Sequence, residues 1–297
     1  MPASASPVGA VPVSCDHPSG STFAVGSTTV LCSATDTHLN TSTGSFTVTV
    51  RVTTPVVLEV TGPSAPQPVG TSVAVSATFT DVGVNDTHTA SVNWGDGASN
   101  IGTVSESLGA GTVSASHVYT VAGVYVVTVT VTDNTALSAS GTYQYAVAYD
   151  PSAGFVTGGG WINSPAGAYV ADSSLTGTAA FGFVSKYLKH ASVPTGSTEF
   201  QLSAANFNFH SAAIEWLVIS GAKAQYKGSG TVNGSGTYGF ILTATDGAIS
   251  GGGGSDKFRI KIWNENSGGV VYDNMIGFSD TADPGTVIGG GDIVIHN

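Results

Sequence analysis

Charge is scarce in this chain. Only 9% of its 297 residues are Asp, Glu, Lys or Arg, with eight basic against nineteen acidic. The formal charge of −11 disfavours nucleic acid and anionic lipid as partners, because both call for a positive surface. Long apolar runs are absent too. None approaches the roughly 20 residues that cross a bilayer as a helix, so no membrane insertion is expected of this chain. The opening Met1-Pro2-Ala3-Ser4-Ala5-Ser6 has neither the charged nor the apolar region of a secretory signal. Either the signal was removed or the chain is a fragment whose signal and anchor lie elsewhere, and a fragment is the expectation. Helical periodicity with caps is missing. So are G-x-S-x-G, H-E-x-x-H, C-x-x-C and EF-hand patterns, which removes the usual sequence grounds for an enzyme or a cofactor. Cysteine occurs only as Cys15 and Cys32. The pair fits one disulfide in an oxidising compartment, contributing about 3 kcal/mol in the chain-entropy model. The alternatives are two free buried thiols, or a metal site for which no neighbouring ligands are in sight.

Glycine, serine, threonine and valine dominate instead, and the fold class they indicate is all-β with many turns. The most informative stretch lies between Val92 and Asp133. There Tyr125, Val127, Val129 and Val131 fall on one face of a period-2 strand, with Val126, Thr128 and Thr130 on the other. Trp94 ends an earlier strand, and Gly95-Asp96-Gly97 supplies the backbone freedom and side-chain acceptors of a tight reversal. Tyr119 precedes the Tyr125 strand, a place where sandwiches tie a corner with a tyrosine hydroxyl.

Phe79-Thr80-Asp81, Asn85 to His88, Val92 to Gly97, His117-Val118-Tyr119 and Ala122 to Asp133 resemble a PKD domain over roughly residues 55–148. The resemblance implies an Ig-like sandwich serving as an extracellular spacer or binding module, without catalysis. Before it, Cys15 to Phe23, Val25-Gly26, Val30-Leu31-Cys32 and Ala34-Thr35-Asp36 resemble the second half of a HYR (hyalin repeat) domain, also Ig-like and extracellular. The family's first strands have no counterpart, and Gly44 stands where a further cysteine often sits. A partial sandwich is expected to leave an unpaired edge and bury little core. After it, the phrases Gly154 to Ile162, Asp256 to Trp263 and Tyr272-Asp273-Asn274 resemble a C-terminal domain of large secreted bacterial proteins that also carry choice-of-anchor segments. That resemblance brings no activity with it.

Three modules follow: residues 1–53, 54–149 and 150–297, tandem Ig-like sandwiches (the first incomplete) and then a larger sandwich-like domain. The short proline-containing joints Thr53-Thr54-Pro55 and Asp150-Pro151-Ser152 suggest modules strung end to end with limited hinge freedom. Seven of the eight basic residues lie after residue 150, Arg51 being the exception, so the third module has a surface of a different kind.

Candidate sites are few. On the last module's basic strand, Lys257, Arg259, Lys261 and Trp263 share one side by period 2, opposite Phe258, Ile260 and Ile262, and Lys223, Gln225 and Lys227 form a similar row. If the two strands are neighbours, they make a basic, aromatic-edged patch suited to an acidic glycan or a negatively charged surface protein; otherwise each is an ordinary solvated face. Calcium is a candidate ion among Asp81, Asp86 and Asp133, or near Asp273 and Asn274, although turn aspartates look the same and a hard cation needs six to eight oxygens. Gly251 to Arg259 fits a calcium nonapeptide in a single copy, where such sites need stacked repeats. His210 is the one histidine worth testing as a base, and Glu199 with Glu215 the one carboxylate pair. The expected role is a monomeric, non-catalytic stalk and adhesion region at the cell surface. The alternative is a carbohydrate-binding accessory region of a polysaccharide-degrading enzyme.

Overall fold

The structure is a computed structural model that describes residues 11–189 and 191–296; the Met1–Ser6 opening lies outside them. The chain is all-β. A 3₁₀ turn at Ser203–Ala205 is the one helical element among the described residues, and no helix there is long and apolar enough to cross a membrane.

The first sheet is a single antiparallel layer of β1 (Val13–Cys15), β2 (Gly26–Thr35) and β3 (Thr41–Val50). Cys15 and Cys32 sit opposite each other in the β1–β2 ladder with Cα atoms 4.0 Å apart, and are joined by a disulfide. Val30 is fully buried, yet its cross-strand partner Phe46 is 54% exposed and Val13 66% exposed. Threonine and valine alternation suffices to form the strands, but no second layer covers their apolar side among the described residues.

The second module is a closed-over sandwich. It comprises β4 (Val56–Thr61), β5 (Gln67–Pro68), β6 (Ser72–Thr80), β7 (His88–Asn93), β8 (Ser99–Ser107), β9 (Ala110–Val118), β10 (Gly123–Asp133) and β11 (Ser138–Tyr149). The ladder runs β4-β6-β9-β8-β7-β10-β11-β5. Strand β8 joins the two layers, pairing with β7 through Ser99–Gly102 and with β9 through Thr103–Ser107. The inward residues are those the alternation picks out: Val73, Val75, Ala77 and Phe79 of β6 meet Val127, Val129 and Val131 of β10 around Trp94. Beyond β7, Trp94 donates its ring N–H to Asn100 and stacks on His117. Asp96 accepts from the Ala98 amide and pairs with His117 Nε2 at 2.7 Å. Gly95 has φ +81°, and a side chain there would meet the Val126 carbonyl at 2.7 Å, so the reversal requires glycine. Tyr119 ties the corner by donating to the Trp94 carbonyl at 2.8 Å.

The third module is one ten-stranded antiparallel sheet curled around an aromatic core. Its strands are β12 (Phe155–Ser164), β13 (Gly177–Lys186), β14 (Thr195–Leu202), β15 (Phe207–Ser220), β16 (Lys223–Val232), β17 (Ser235–Thr245), β18 (Lys257–Asn264), β19 (Val270–Asp273), β20 (Thr286–Val287) and β21 (Gly290–His296). They follow chain order from β12 to β19; β21 returns beside β12, and β20 pairs with β18. Two bulges in β15, near Ala213 and Trp216, give the local bend that curling needs. As a result β13 faces β18 across the core, with the Phe181 and Phe258 rings stacked at 4.1 Å. The gap left by the curl is spanned by side chains: Asp246 accepts the Ile295 amide at 3.0 Å, and Asp256 the Ile293 amide at 2.8 Å.

The second and third modules are not simply strung end to end. Val147 and Tyr149 of β11 are buried against Trp216, Val218 and Ile241, with Val124, Tyr145, Tyr187 and Trp263 packed around them. A proline-containing joint gave no hint of this, because the joint sets the spacing of two modules and leaves open which faces are apolar enough to meet.

Removing the Tyr119 hydroxyl leaves a buried carbonyl without its donor. Tyr119→Phe should therefore destabilise the second module by about 1–3 kcal/mol, read as a lower urea midpoint at unchanged slope. A loss below about 0.5 kcal/mol, the scatter of neutral surface changes, would show that the corner bond contributes nothing.

Candidate functional site

The basic strand came from the sequence as a half-solvated row. The structure corrects that reading. Strand β17 separates β16 from β18, so the two rows share one face with Thr245, Thr243 and Ile241 between them. That face is covered: on one side by β10 and β11 of the second module, on the other by the segment from Met275 to Gly285. Arg259 is 1% exposed. Its guanidinium makes a two-pronged pair with Asp273, 3.1 Å from Nε and 3.0 Å from Nη2, and donates to the Ser279 and Phe278 carbonyls. Lys261 reaches Asp280 at 2.8 Å, Lys223 reaches Asp283 at 2.8 Å, and Lys227 pairs with Glu215. Trp263 is flanked by the ammonium groups of Lys227 and Lys261 at 5.9 and 6.0 Å. The cations meant for an outside ligand thus meet the chain's own carboxylates. Lys257 is the exception, half-buried and without an ion pair among the described residues.

Period-2 reading missed these partners because Asp280 and Asp283 lie in irregular chain. The available signal was three aspartates, Asp273, Asp280 and Asp283, close behind a basic strand. Asp280 also accepts from the Tyr145 hydroxyl, so one carboxylate ties β18 to the second module. Tyr145 stands at a bulge in β11 with φ +63°. Burial pushes its phenol well above the ordinary tyrosine range, and the adjoining Asp280 carboxylate adds to the rise.

The calcium candidates divide. Asp273 is taken by Arg259 and the Met275 amide, and the Asn274 amide bridges β18 and β20 through Ile260, Phe258 and Thr286. Asp81, Asp86 and Asp133 do converge, with one carboxylate oxygen of each within 4.8 Å of the others. Asp81 accepts from Thr53 Oγ1 at 2.7 Å and the Gly83 amide at 2.8 Å, and its other oxygen meets His88 Nε2 at 3.1 Å. The His88 ring is fully buried, with Glu106 2.6 Å from its other nitrogen. Burial alone would lower the imidazole's pKa, but the two carboxylates outweigh it and hold it above the ordinary value. Burial likewise raises Asp81 and Asp133, and the N–H and O–H donors around each reverse that and hold both below the usual carboxylate range.

The remaining motifs settle into structural roles. Asp256 of the single nonapeptide is used by the Gly247 and Ile293 amides. His210 lies 3.3 Å from Glu199 with both side chains largely exposed, and Glu215 is held by Lys227. Among the described residues, no buried acid–base pair is built around His210, Glu199 or Glu215.

Residues 54–148 match the PKD domain model. Residues 1–50 match the HYR domain model. Both are non-catalytic module types, and they occur in the order the motifs indicate. Neither match extends past residue 148, so the third module rests on its structure alone, and no curated protein matches the chain.

Breaking the buried pair should be costly. Arg259→Met is expected to lose about 3–5 kcal/mol by stranding Asp273, and adding Asp273→Asn should restore part of it. Lys257→Ala should stay within about 0.5 kcal/mol. Denaturant unfolding of the intact chain checks all three; equal losses for Arg259→Met and Lys257→Ala would contradict the burial argument.

Proposed function

We propose that this chain is a non-catalytic spacer and adhesion region of a secreted or cell-surface protein. Its second and third modules would act as one stiff block that holds a binding surface away from its anchor. The observation that carries this reading is the buried seam of Val147, Tyr149, Trp216, Val218 and Ile241, sealed at its edge by the Tyr145–Asp280 contact. A spacer with free hinges needs no such seam, since inter-domain motion is the default unless an apolar interface removes it. The HYR and PKD matches support the extracellular setting, as both module types are typical of stalks and adhesion regions.

A second reading, a carbohydrate-binding accessory region, is favoured by one groove of about 300 Å³ in the third module. Tyr169, Tyr238, Phe207, Asn206 and Val271 line it, and no charged residue does. Tyrosine faces with an amide suit an uncharged sugar ring better than the acidic glycan once expected on β18.

The spacer reading predicts that the joint at Asp150–Ser152 resists proteolysis in the intact chain and becomes cleavable in Trp216→Ala. It also predicts no turnover in a screen of polysaccharide and peptide substrates. A joint cut equally fast in both proteins, or a turnover that follows the purified chain, would overturn it. Neutral-glycan binding on an array, abolished by Tyr169→Ala and Tyr238→Ala, would favour the second reading.

A further inference from the structure

The second module contains no lysine or arginine at all between residues 54 and 149. Its carboxylates can therefore be neutralised from within only by histidine. Asp81, Asp86 and Asp133 nevertheless converge, with Asp81 7% and Asp133 5% exposed. His88 answers part of that charge, but its ring is shared between Asp81 and Glu106. Although it stands opposite Asp133 in the β7–β10 ladder, the ring makes no hydrogen bond to Asp86 or Asp133 among the described residues.

Asp133 supplies the independent observation. Its Oδ1 accepts from the Thr135 amide and hydroxyl and from the Leu137 amide, at 2.7, 2.8 and 2.9 Å. Its Oδ2 is buried and has no hydrogen-bond partner among the described residues. A buried carboxylate oxygen without a donor is costly, and here it belongs to a group of three carboxylates that have no lysine or arginine in their module and share one histidine with Glu106.

We propose that Asp81, Asp86 and Asp133 bind one calcium ion. Carboxylate oxygens within 4.8 Å of one another can be bridged by an ion whose bonds run about 2.3–2.6 Å, with water and nearby carbonyls completing six to eight oxygens. Magnesium, which demands near-octahedral bonds of about 2.0–2.1 Å, suits an irregular acidic loop less well. The site also bears on the joint between the first two modules. Thr53 of that joint donates to Asp81 Oδ1, so an ion that fixes Asp81 fixes the point where the joint meets the sandwich. This differs from the seam that stiffens the second joint, and it holds or fails independently of the spacer reading.

The test is calorimetric titration of the chelator-treated intact chain with calcium chloride, up to about 5 mM to cover the weak extracellular range. Thermal unfolding in calcium and in chelator accompanies it. One equivalent should bind and raise the unfolding midpoint, with magnesium binding more weakly. Asp86→Asn and Asp133→Asn should each weaken binding by at least about tenfold, the lower bound for residues supporting a metal, while Glu59→Gln, an exposed carboxylate of the same module, should not. The Asp86 side chain makes no internal hydrogen bond among the described residues, so its variant should still fold in chelator as the parent does. No heat and no midpoint shift would overturn the proposal, as would binding that survives both substitutions. Magnesium binding as tight as calcium would overturn the choice of ion. Amide exchange at residues 52–54 should slow when calcium binds; unchanged exchange there would overturn the role at the joint.

Discussion

Asp280 is the point on which the larger part of the molecule depends. A charge withdrawn from water must be met by opposite charge and by donors, or the fold that buries it does not survive. Lys261 meets this carboxylate from β18, Arg259 stands 3.8 Å away, and the Tyr145 hydroxyl reaches it from the second module. Remove the carboxylate and three groups on two modules lose their common partner. The segment that carries Asp280 is irregular, and its course makes sense only as a cover for a sheet face too cationic to be buried bare. Gln225 fixes it further, donating to the Asp280 carbonyl at 2.6 Å and to Thr243 at 2.9 Å.

Reaching Asp280 has a backbone cost. A tyrosine at φ +63° occupies a region that side chains with a Cβ rarely enter, at about 1–3 kcal/mol. The bulge between the Tyr125 and Val127 pairings is what turns the Tyr145 ring toward the third module; a regular ladder would keep to strict alternation. Tyr145 and the two alternate residues after it then divide the work. Val147 and Tyr149 supply apolar area to the seam, where Tyr149 stacks on Tyr187 at 4.9 Å. Tyr145 supplies direction through its hydroxyl. Apolar area holds two surfaces together without choosing a register, and the buried polar contact chooses one.

Much of this was legible in the sequence, and the rest was hidden for definable reasons. The β10 alternation, the Gly95 turn, the Tyr119 corner and the pairing of Cys15 with Cys32 are local, and local chemistry dictates them. Period-2 spacing correctly put Lys257, Arg259, Lys261 and Trp263 on one side. It could not say that the side was covered, because cover comes from the Met275–Gly285 segment and from β10 and β11, distant in sequence and without a pattern of their own. The same limit applies to Asp246 and Asp256: a glycine-rich loop reads as a turn or a calcium motif, and only the curl of the sheet reveals β21 as the recipient of their carboxylates. Convergence of Asp81, Asp86 and Asp133 likewise depends on where β6 and β10 end in space.

The two larger modules answer one electrostatic problem in different ways. In the third module, which concentrates the chain's scarce cations, backbone amides meet Asp246 and Asp256, while Asp273, Asp280 and Asp283 have guanidinium or ammonium partners. The second has none to give. Its carboxylates are met by backbone amides, hydroxyls and two histidines: Asp96 by Ala98 and His117, Asp81 by Gly83, Thr53 and His88. Amides and hydroxyls are dipoles, and they offset less of a carboxylate's charge than a cation does. That suffices for Asp96, which is alone and partly exposed. It is a poorer answer at Asp81, Asp86 and Asp133, where three carboxylates meet and Asp133 Oδ2 has no hydrogen-bond partner among the described residues. The cation that the chain does not supply there is the one the calcium proposal takes from solution.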